Sequence, residues 1–224
     1  MPNKLVPIDI IADLVCPWCF IGRKRLLAAI SILNNIDIRL NWKPFQLAPN
    51  IPPSGVPYKA YLKSVFGDQD IIDKTERELI ELGHDLGIDF DFGAIETAPN
   101  TLNAHRVIYW AAQDRLGVQD KLVAELYSRY FEQGQDIGSV GVIVDAAQKS
   151  GMRADVVEKL LATAIDRDTV ITDCRRAQTI GVQGVPCFII DNKYAIMGAQ
   201  NSEILADAIQ QAADGFEPGL TEDR

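Results

Sequence analysis

The sequence predicts an α/β fold that is interrupted by an all-helical insertion. Strand, helix and strand patterns follow one another in the first 42 residues, roughly a hundred residues of helical periodicity come after a proline-rich boundary, and strand patterns return near residue 187. The chain has 224 residues, 47% of them hydrophobic, which is enough for a sizeable core. We therefore expect a first α/β part at residues 1–50, a helical insertion at 51–165, a second α/β part at 166–215 and a C-terminal tail at 216–224.

The first part of the α/β domain shows two strands around one helix. An apolar run predicts a buried strand at Ile8–Ala12, and apolar residues at helical spacing predict a helix over Phe20–Leu33. Apolar and polar residues alternate over Ile36–Trp42, which is typical of a half-buried strand. The proline and glycine residues between Pro49 and Pro57 then interrupt regular structure and indicate a domain boundary.

The insertion is predicted to be helical throughout. Its segments have spaced apolar residues, with Gly, Pro or Asp near their ends. The predicted helices are Tyr58–Phe66, Ile71–Leu86, Asn103–Leu116, Lys121–Phe131, Val140–Lys149 and Ala154–Ala162.

The second α/β part is predicted as helix, strand, strand and helix. Val170, Cys174 and Ala177 form an apolar stripe on the first of these helices, and strands are expected at Cys187–Ile190 and Tyr194–Met197. For the last helix we expect an N-cap at Ser202, inward-facing Ile204, Leu205, Ala208 and Ile209, and an end before Gly215.

The segment Cys16-Pro17-Trp18-Cys19 places two thiols at the start of the first predicted helix. Unpaired backbone N–H groups and the helix dipole favour a thiolate there, and can lower a cysteine pKa from about 8.5 to roughly 3.5–7.5. Pro17 suits a first helical turn because its missing N–H would have no partner. We interpret the pair as a catalytic redox dithiol, in which Cys16 is the accessible, low-pKa attacking thiol and the shielded Cys19 resolves the mixed disulfide.

Half of a zinc site is the alternative for two cysteines at this spacing. Structural zinc takes four ligands, commonly from two close pairs. The remaining cysteines, Cys174 and Cys187, are thirteen positions apart, and His84 and His105 belong to no ligand motif. No metal is therefore expected.

A second motif, Gly184-Val185-Pro186, directly precedes a predicted strand. The cis form is cheap only at an X–Pro bond, at about 0.5–1 kcal/mol, so we predict a cis bond between Val185 and Pro186, close to the Cys16 sulfur. Together with the dithiol, this segment resembles the Gly-Val-Pro loop that faces the dithiol in thioredoxin-fold oxidoreductases.

More narrowly, the chain resembles the DsbA-like family, in its cytosolic branch of FrnE-type dithiol oxidoreductases and 2-hydroxychromene-2-carboxylate isomerases. The stretches Asp13–Cys19, Asn100–Arg106 and Met197–Gln200 support this placement, and the resemblance extends from about Ile8 to Ala213. It implies a thioredoxin fold with an all-helical insertion domain that covers the dithiol like a lid.

The resemblance also suggests substrate-binding residues. Val185 and Pro186 would steer a substrate backbone, and Trp18, beside Pro17, would point outward, either to bind an apolar substrate segment or to pack on the lid. By analogy, His105 would point toward the groove and contact substrate or a glutathione-like thiol. The alternative for His105 is a helix-start histidine bonded to its own backbone or to Asn100.

The sequence departs from the thioredoxin pattern at Ile10, where many such proteins bury an acid six positions before the first cysteine. Asp13, three residues before Cys16, could serve as that acid near the start of the helix, but we favour an exposed turn aspartate. Cys174 and Cys187 are interpreted as small buried hydrophobic residues. The alternative for Cys187 is a third redox thiol that exchanges with Cys19 or bridges to Cys174.

The predicted function is a cytosolic thiol–disulfide oxidoreductase, with disulfide isomerisation as a further activity. Its partners would be disulfide-containing proteins or small-molecule thiols. We expect no cofactor; the alternative is glutathione as a thiol co-substrate. The net charge of −9 disfavours nucleic acid and anionic membranes, and the apolar runs are too short to cross a bilayer. A start without a long apolar stretch predicts a cytoplasmic location.

Two other functions remain open. One is the glutathione-dependent isomerisation of a small aromatic such as a hydroxychromene carboxylate; that branch, as the resemblance implies, has serine at the first thiol position, where this chain has Cys16. The other is a redox-sensing module without enzymatic activity.

Overall fold

The computed structural model describes residues 4–114, 117–179 and 181–215. The predicted tail at 216–224, and Leu116 at the end of one predicted helix, lie outside these residues. The strands are β1 (Lys4–Ala12), β2 (Ile36–Pro44), β3 (Val56–Pro57), β4 (Thr97–Ala98), β5 (Cys187–Ile190) and β6 (Tyr194–Met197). The helices are α1 (Pro17–Ile32), α2 (Tyr58–Phe66), α3 (Gln69–Asp85), α4 (Leu102–Ala111), α5 (Val118–Phe131), α6 (Val140–Lys149), α7 (Ala154–Leu161), α8 (Arg167–Thr179) and α9 (Ser202–Asp214).

The α/β part is built on a four-stranded sheet of order β2-β1-β5-β6. β1 and β2 are parallel, with Ile8 opposite Leu40, while β5 runs antiparallel to β1 and places Phe188 opposite Ile10. β6 completes an antiparallel hairpin with β5. The predicted α/β class is confirmed, and β5 and β6 have the predicted bounds.

Helices cover both faces of this sheet. Ile8 and Ile10 of β1 belong to the main apolar cluster, which includes Leu205 and Ile209 of α9. The next β1 residue, Ile11, faces the other side and packs in a smaller cluster with Ala177 of α8. This alternation is what a strand buried on both faces requires.

The last helix differs from its prediction in two details. Its N-cap is Asn201, because Ser202 already has helical geometry, and Gly215 ends it in the left-handed conformation as predicted. Ile204 is exposed, and Ala206 is buried in its place. The buried stripe therefore follows positions 205, 206, 209 and 212.

The insertion forms helices at all six predicted segments; α2 and α6 have the predicted bounds, and the ends of the other four differ by a few residues. It also contains the antiparallel pair of β3 and β4, which was not predicted, and a short 3-10 helix at Phe92–Ala94. Strands of two residues carry no alternation that a sequence pattern could show. The division of the chain into domains at residues 50 and 165 stays a prediction.

Aromatic side chains join the insertion to the sheet. Phe20 of α1 stacks on Tyr127 of α5 with ring centroids 5.0 Å apart, and its ring meets Phe90 edge-on at 5.9 Å. Next to them, the guanidinium of Arg23 binds both carboxylate oxygens of Asp120, at 2.9 and 2.6 Å. These contacts hold α5 against α1, so that one apolar cluster runs through both parts of the chain.

Candidate active site

The two thiols lie where β1 ends and α1 begins. Cys16 is the N-cap residue of α1, with extended backbone angles (φ −97°, ψ 109°), and Pro17 follows as the first helical residue. The backbone N–H of Cys19 donates to the Cys16 carbonyl at 3.0 Å, which places the second thiol one turn into the helix. The structure therefore places the dithiol at the helix N-terminus, as the sequence predicts.

The two thiols differ in their access to solvent. Cys16 is 5% exposed and borders a cavity of about 510 Å³, whereas Cys19 is 1% exposed and does not contact this cavity. Burial raises the pKa of Cys19 well above its usual range, and the neighbouring Cys16 raises it further through a hydrogen bond and its charge. Cys19 is thus held as a neutral thiol beneath Cys16.

The loop before β5 closes one side of the dithiol. The Val185–Pro186 bond is cis, as predicted, and the Cys16 thiol donates to the Val185 carbonyl with Sγ and O 3.7 Å apart. Val185 faces the cavity, while Pro186 is buried against α1 at Gly22. A Cβ atom at Gly22 would lie only 2.9 Å from Pro186 Cγ, so α1 and this loop approach each other because position 22 has no side chain.

The cavity has an apolar wall from the insertion and an exposed rim. Pro17, Trp18 and Val185 line it together with Leu47 and side chains of α2 and α3. Trp18 is 38% exposed and points outward, as predicted. Pro186, which was expected to help bind the substrate, does not line the cavity.

A buried polar pair lies beneath the dithiol. Asp13 is 1% exposed, and its carboxylate accepts hydrogen bonds from the backbone N–H groups of Leu14 and Leu47, both at 2.8 Å. His105 Nε2 lies 3.2 Å from the same carboxylate and 2.9 Å from the Phe45 carbonyl. Because both partners are acceptors, Nε2 carries the proton and donates.

This geometry corrects two expectations. Asp13 is not an exposed turn residue, because the loop after β2 returns over it and supplies the Leu47 N–H donor. His105 does not point into the groove, nor does it bond to its own backbone or to Asn100; it is 3% exposed and reaches the dithiol region only through Asp13. The signal that indicates the buried aspartate is its position directly after a strand that is apolar on both faces.

The insertion contributes residues to the cavity that were not predicted from the sequence. Tyr58 and Tyr61 of α2 and Tyr130 of α5 line it, and burial raises the pKa of each phenol. Glu76 of α3 also lines it, with a pKa raised by burial and by the nearby charge of Asp73. These residues come from helices whose amphipathic pattern does not show which side faces the dithiol.

The other two cysteines lie in separate apolar clusters as free thiols. Burial raises the pKa of Cys174 to about 12 and also raises that of Cys187. Cys187 packs with Ile11 and Phe45, as a buried strand residue does. Within the described ranges, no three His, Cys, Asp or Glu side chains cluster as a metal site would require.

No helix in the described part of the chain has the combination of length and apolar character that is needed to cross a bilayer.

Solved structures with the same fold include three that bear on this site. A probable DsbA oxidoreductase from Streptomyces coelicolor superposes with a TM-score of 0.84 at 24% identity, covering 97% of this chain and 94% of that one. A 2-hydroxychromene-2-carboxylate isomerase gives a TM-score of 0.70 at 15% identity, covering 94% and 100%. The cytosolic disulfide reductase DsbM from Pseudomonas aeruginosa, solved with GSH, gives 0.63 at 16% identity, covering 92% and 98%.

At these identities the structures show a shared fold. The family model for the DSBA-like thioredoxin domain matches residues 7–210, a range that includes the dithiol, the insertion and the cis-proline loop. The chain therefore belongs to the family of DSBA-like thioredoxin domains.

Proposed function

We propose that this protein is a thiol–disulfide oxidoreductase that acts through Cys16 and Cys19. One observation carries the proposal: Cys16 borders a cavity large enough for a substrate, and Cys19 lies one helical turn deeper, away from that cavity. The two steps of disulfide exchange require one thiol that the substrate can reach and a second thiol that it cannot reach.

In the reductive direction, the Cys16 thiolate attacks one sulfur of the substrate disulfide. The new bond joins Cys16 to that sulfur, and the other substrate sulfur leaves as a thiolate that takes up a proton. Cys19 then attacks Cys16, which releases the second substrate thiol and forms the Cys16–Cys19 disulfide. The dithiol has lost two electrons and two protons, and the substrate has gained them.

The raised pKa of Cys19 supports this order of steps. While Cys16 is free, burial and the Cys16 sulfur keep Cys19 protonated, so that Cys16 is the nucleophile. Once Cys16 is in a mixed disulfide, it no longer carries a charge that opposes ionisation of Cys19. Resolution can then proceed, and we expect its rate to increase with pH, because burial still holds the pKa of Cys19 high.

Two other functions fit the fold less well. The isomerase relative shares the fold, but this chain has a second thiol behind Cys16 that an isomerisation would not need. A redox-sensing module would use the same dithiol without turnover. We place the protein in the cytoplasm by analogy with DsbM, which is described as cytosolic, and propose disulfide-containing proteins and small-molecule thiols as its partners.

The test is insulin reduction by the purified protein, with a dithiol reagent as electron donor. We expect turnover in the wild type, none in Cys16→Ser, and accumulation of mixed disulfides in Cys19→Ser, because no thiol remains to resolve them. Cys187→Ala is the matched control, since Cys187 is buried away from the cavity and should affect only stability.

The outcomes separate the candidates. Full activity of Cys16→Ser toward an aromatic isomerisation substrate would favour the isomerase, and absence of both activities in the wild type would favour the sensor. Loss of turnover in Cys187→Ala with an unchanged melting temperature would make Cys187 a redox participant.

A further inference from the structure

The cavity beside Cys16 has an apolar character that extends to its rim. Four large apolar side chains in its lining are also solvent-exposed: Trp18, Leu47, Val65 and Phe66. Exposed apolar residues are ordinary when scattered, but a group around one opening indicates a binding surface. The volume of about 510 Å³ is that of a site for a small molecule.

The side chains that line the cavity offer no positive charge to an anion. Among the described residues, no lysine or arginine lines it, and its phenols are held neutral by their raised pKa values. Glu76 is the carboxylate in the lining, and it lies on α3, which carries six acidic residues against two basic ones. Lys59 is close enough to lower the pKa of Glu76 but does not line the cavity.

We propose that this cavity selects small, uncharged disulfides with an apolar or aromatic substituent, and that it discriminates against anionic ones, glutathione disulfide included. The inference rests on the proposed function and adds its substrate class. A carboxylate that enters an apolar site without a cationic partner loses its hydration with no compensation. Glutathione carries two carboxylates and one ammonium group, so each half of its disulfide would bring net negative charge next to Glu76.

The chemistry is the first turnover of the reduced protein. The Cys16 thiolate attacks the sulfur whose substituent occupies the cavity, and the other half of the disulfide leaves as a thiolate. Cys19 then displaces the bound half and forms the Cys16–Cys19 disulfide. The protein itself supplies the two electrons, so the reaction needs no further reductant and can be followed with one equivalent of substrate.

Two aromatic disulfides that release coloured thiols test the selection. Dithiodipyridine is uncharged at neutral pH, and dithiobis(nitrobenzoate) carries two carboxylates. Each disulfide is mixed rapidly with reduced protein, and the kinetic phase that is absent in Cys16→Ser is assigned to attack by Cys16. The rate constants of this phase are then compared between the two disulfides. The same two rate constants for an unstructured cysteine peptide correct for intrinsic reactivity. We expect the neutral-to-anionic rate ratio of the protein to exceed that of the peptide about tenfold or more.

A charge reversal in the cavity sharpens the test. Glu76→Lys should accelerate the anionic disulfide about fivefold or more and change the rate of the neutral one by less than about twofold. Glu81→Lys is the matched control, because it makes the same charge change at an exposed position of α3 outside the cavity lining. It should leave the rate ratio within about twofold of the wild type. If Glu76→Lys does not fold, Glu76→Gln should shift the ratio in the same direction.

The failures of the two proposals are distinguishable. If neither disulfide shows a phase that depends on Cys16, the proposed oxidoreductase function is wrong. If both show it with the rate ratio of the peptide, only the selection is wrong. An equal effect of Glu81→Lys and Glu76→Lys would also overturn the selection, because the discrimination would then come from the overall charge of the protein.

Discussion

At the scale of single residues, Asp13 is the buried acid near the dithiol. Many thioredoxin-fold proteins have a buried acid at the position of Ile10, where this chain has none. The Asp13 carboxylate is buried, accepts two backbone hydrogen bonds and one from His105, and raises the pKa of Cys19 through its charge. Asp13 therefore ties the loop after β2 to the dithiol and places a negative charge near the resolving thiol.

Asp13→Asn should separate these two effects. The amide has one acceptor oxygen, so its NH₂ group faces a backbone donor, and we expect a loss of about 1–3 kcal/mol in the free energy of unfolding. Removing the charge should also lower the pKa of Cys19 and shift the pH profile of mixed-disulfide resolution to lower pH. Release of the second thiol after Cys16 has reacted measures this profile.

Asp9→Asn is the matched control for this change. Asp9 lies on β1, the strand that directly precedes Asp13; it is partly exposed and accepts a hydrogen bond from Asn41. Its variant should leave the resolution profile unchanged. A profile that is the same for both variants and the wild type would mean that Asp13 is structural only.

The sequence was sufficient for those site residues whose chemistry is local. Two cysteines at the start of a helix and a proline after Gly-Val needed no knowledge of distant segments, and the dithiol position and the cis bond were predicted. The pairing of Asp13 with His105 was not, because it depends on the loop that carries Phe45 and Leu47 and on α4, which meet only in the folded chain.

At the scale of elements, the close approach of α1 to the cis-proline loop sets the geometry of the site. Gly22 faces Pro186 and Phe188, and a methyl group there would lie 2.9 and 3.1 Å from their side chains. Both neighbours are buried, so they have little room to move. The distance between Cys16 and Val185 therefore depends on Gly22, which lies six residues after Cys16 on α1 and has no side chain.

Gly22→Ala should accordingly destabilise the protein by about 1–3 kcal/mol through overpacking, despite the better helix propensity of alanine. It should also slow disulfide reduction, because the loop must move away from Cys16. Gly141→Ala in α6 is the control, since nothing beyond its chain neighbours and the nearby backbone of α6 lies within 4 Å of the added methyl group, and we expect it to be neutral or stabilising by up to about 1 kcal/mol. Chemical denaturation and insulin reduction measure both effects, and equal stability of the two variants would contradict the packing explanation.

Most helices and strands were predictable because their apolar residues repeat at the period of the element, as in α6 and β5, whose bounds were predicted without error. The short pair of β3 and β4 was not predicted. On the inward face of α9, Leu205 and Ile209 are buried as predicted, but Ile204 is exposed and Ala206 is buried instead. A pattern of alternating or spaced apolar residues predicts the element, but the neighbouring element decides which residues near the edge of its apolar face are covered.

At the scale of the whole molecule, burial of weak acids makes the free energy of unfolding depend on pH in the alkaline range. Burial raises the pKa of Cys19, Cys174 and Cys187 and of the tyrosines Tyr58, Tyr61, Tyr127 and Tyr130. These groups stay protonated in the folded chain at a pH where the unfolded chain ionises them, which is near 8.5 for a thiol and near 10 for a phenol. The unfolded state then binds fewer protons, so the free energy of unfolding decreases as pH increases.

The contribution of Cys174 can be isolated, since its pKa is raised to about 12. Between pH 9 and pH 10 one such thiol reduces the free energy of unfolding by up to about 1.4 kcal/mol. Cys174→Ala should remove this part of the slope, whereas Val170→Ala, in the same apolar cluster, should lower stability equally at pH 7 and pH 10. Denaturant unfolding at pH 7, 9 and 10 with a phosphine reductant measures both. If Cys174→Ala keeps the wild-type slope, the thiol ionises in the folded chain as easily as in the unfolded one, and its cluster must admit water.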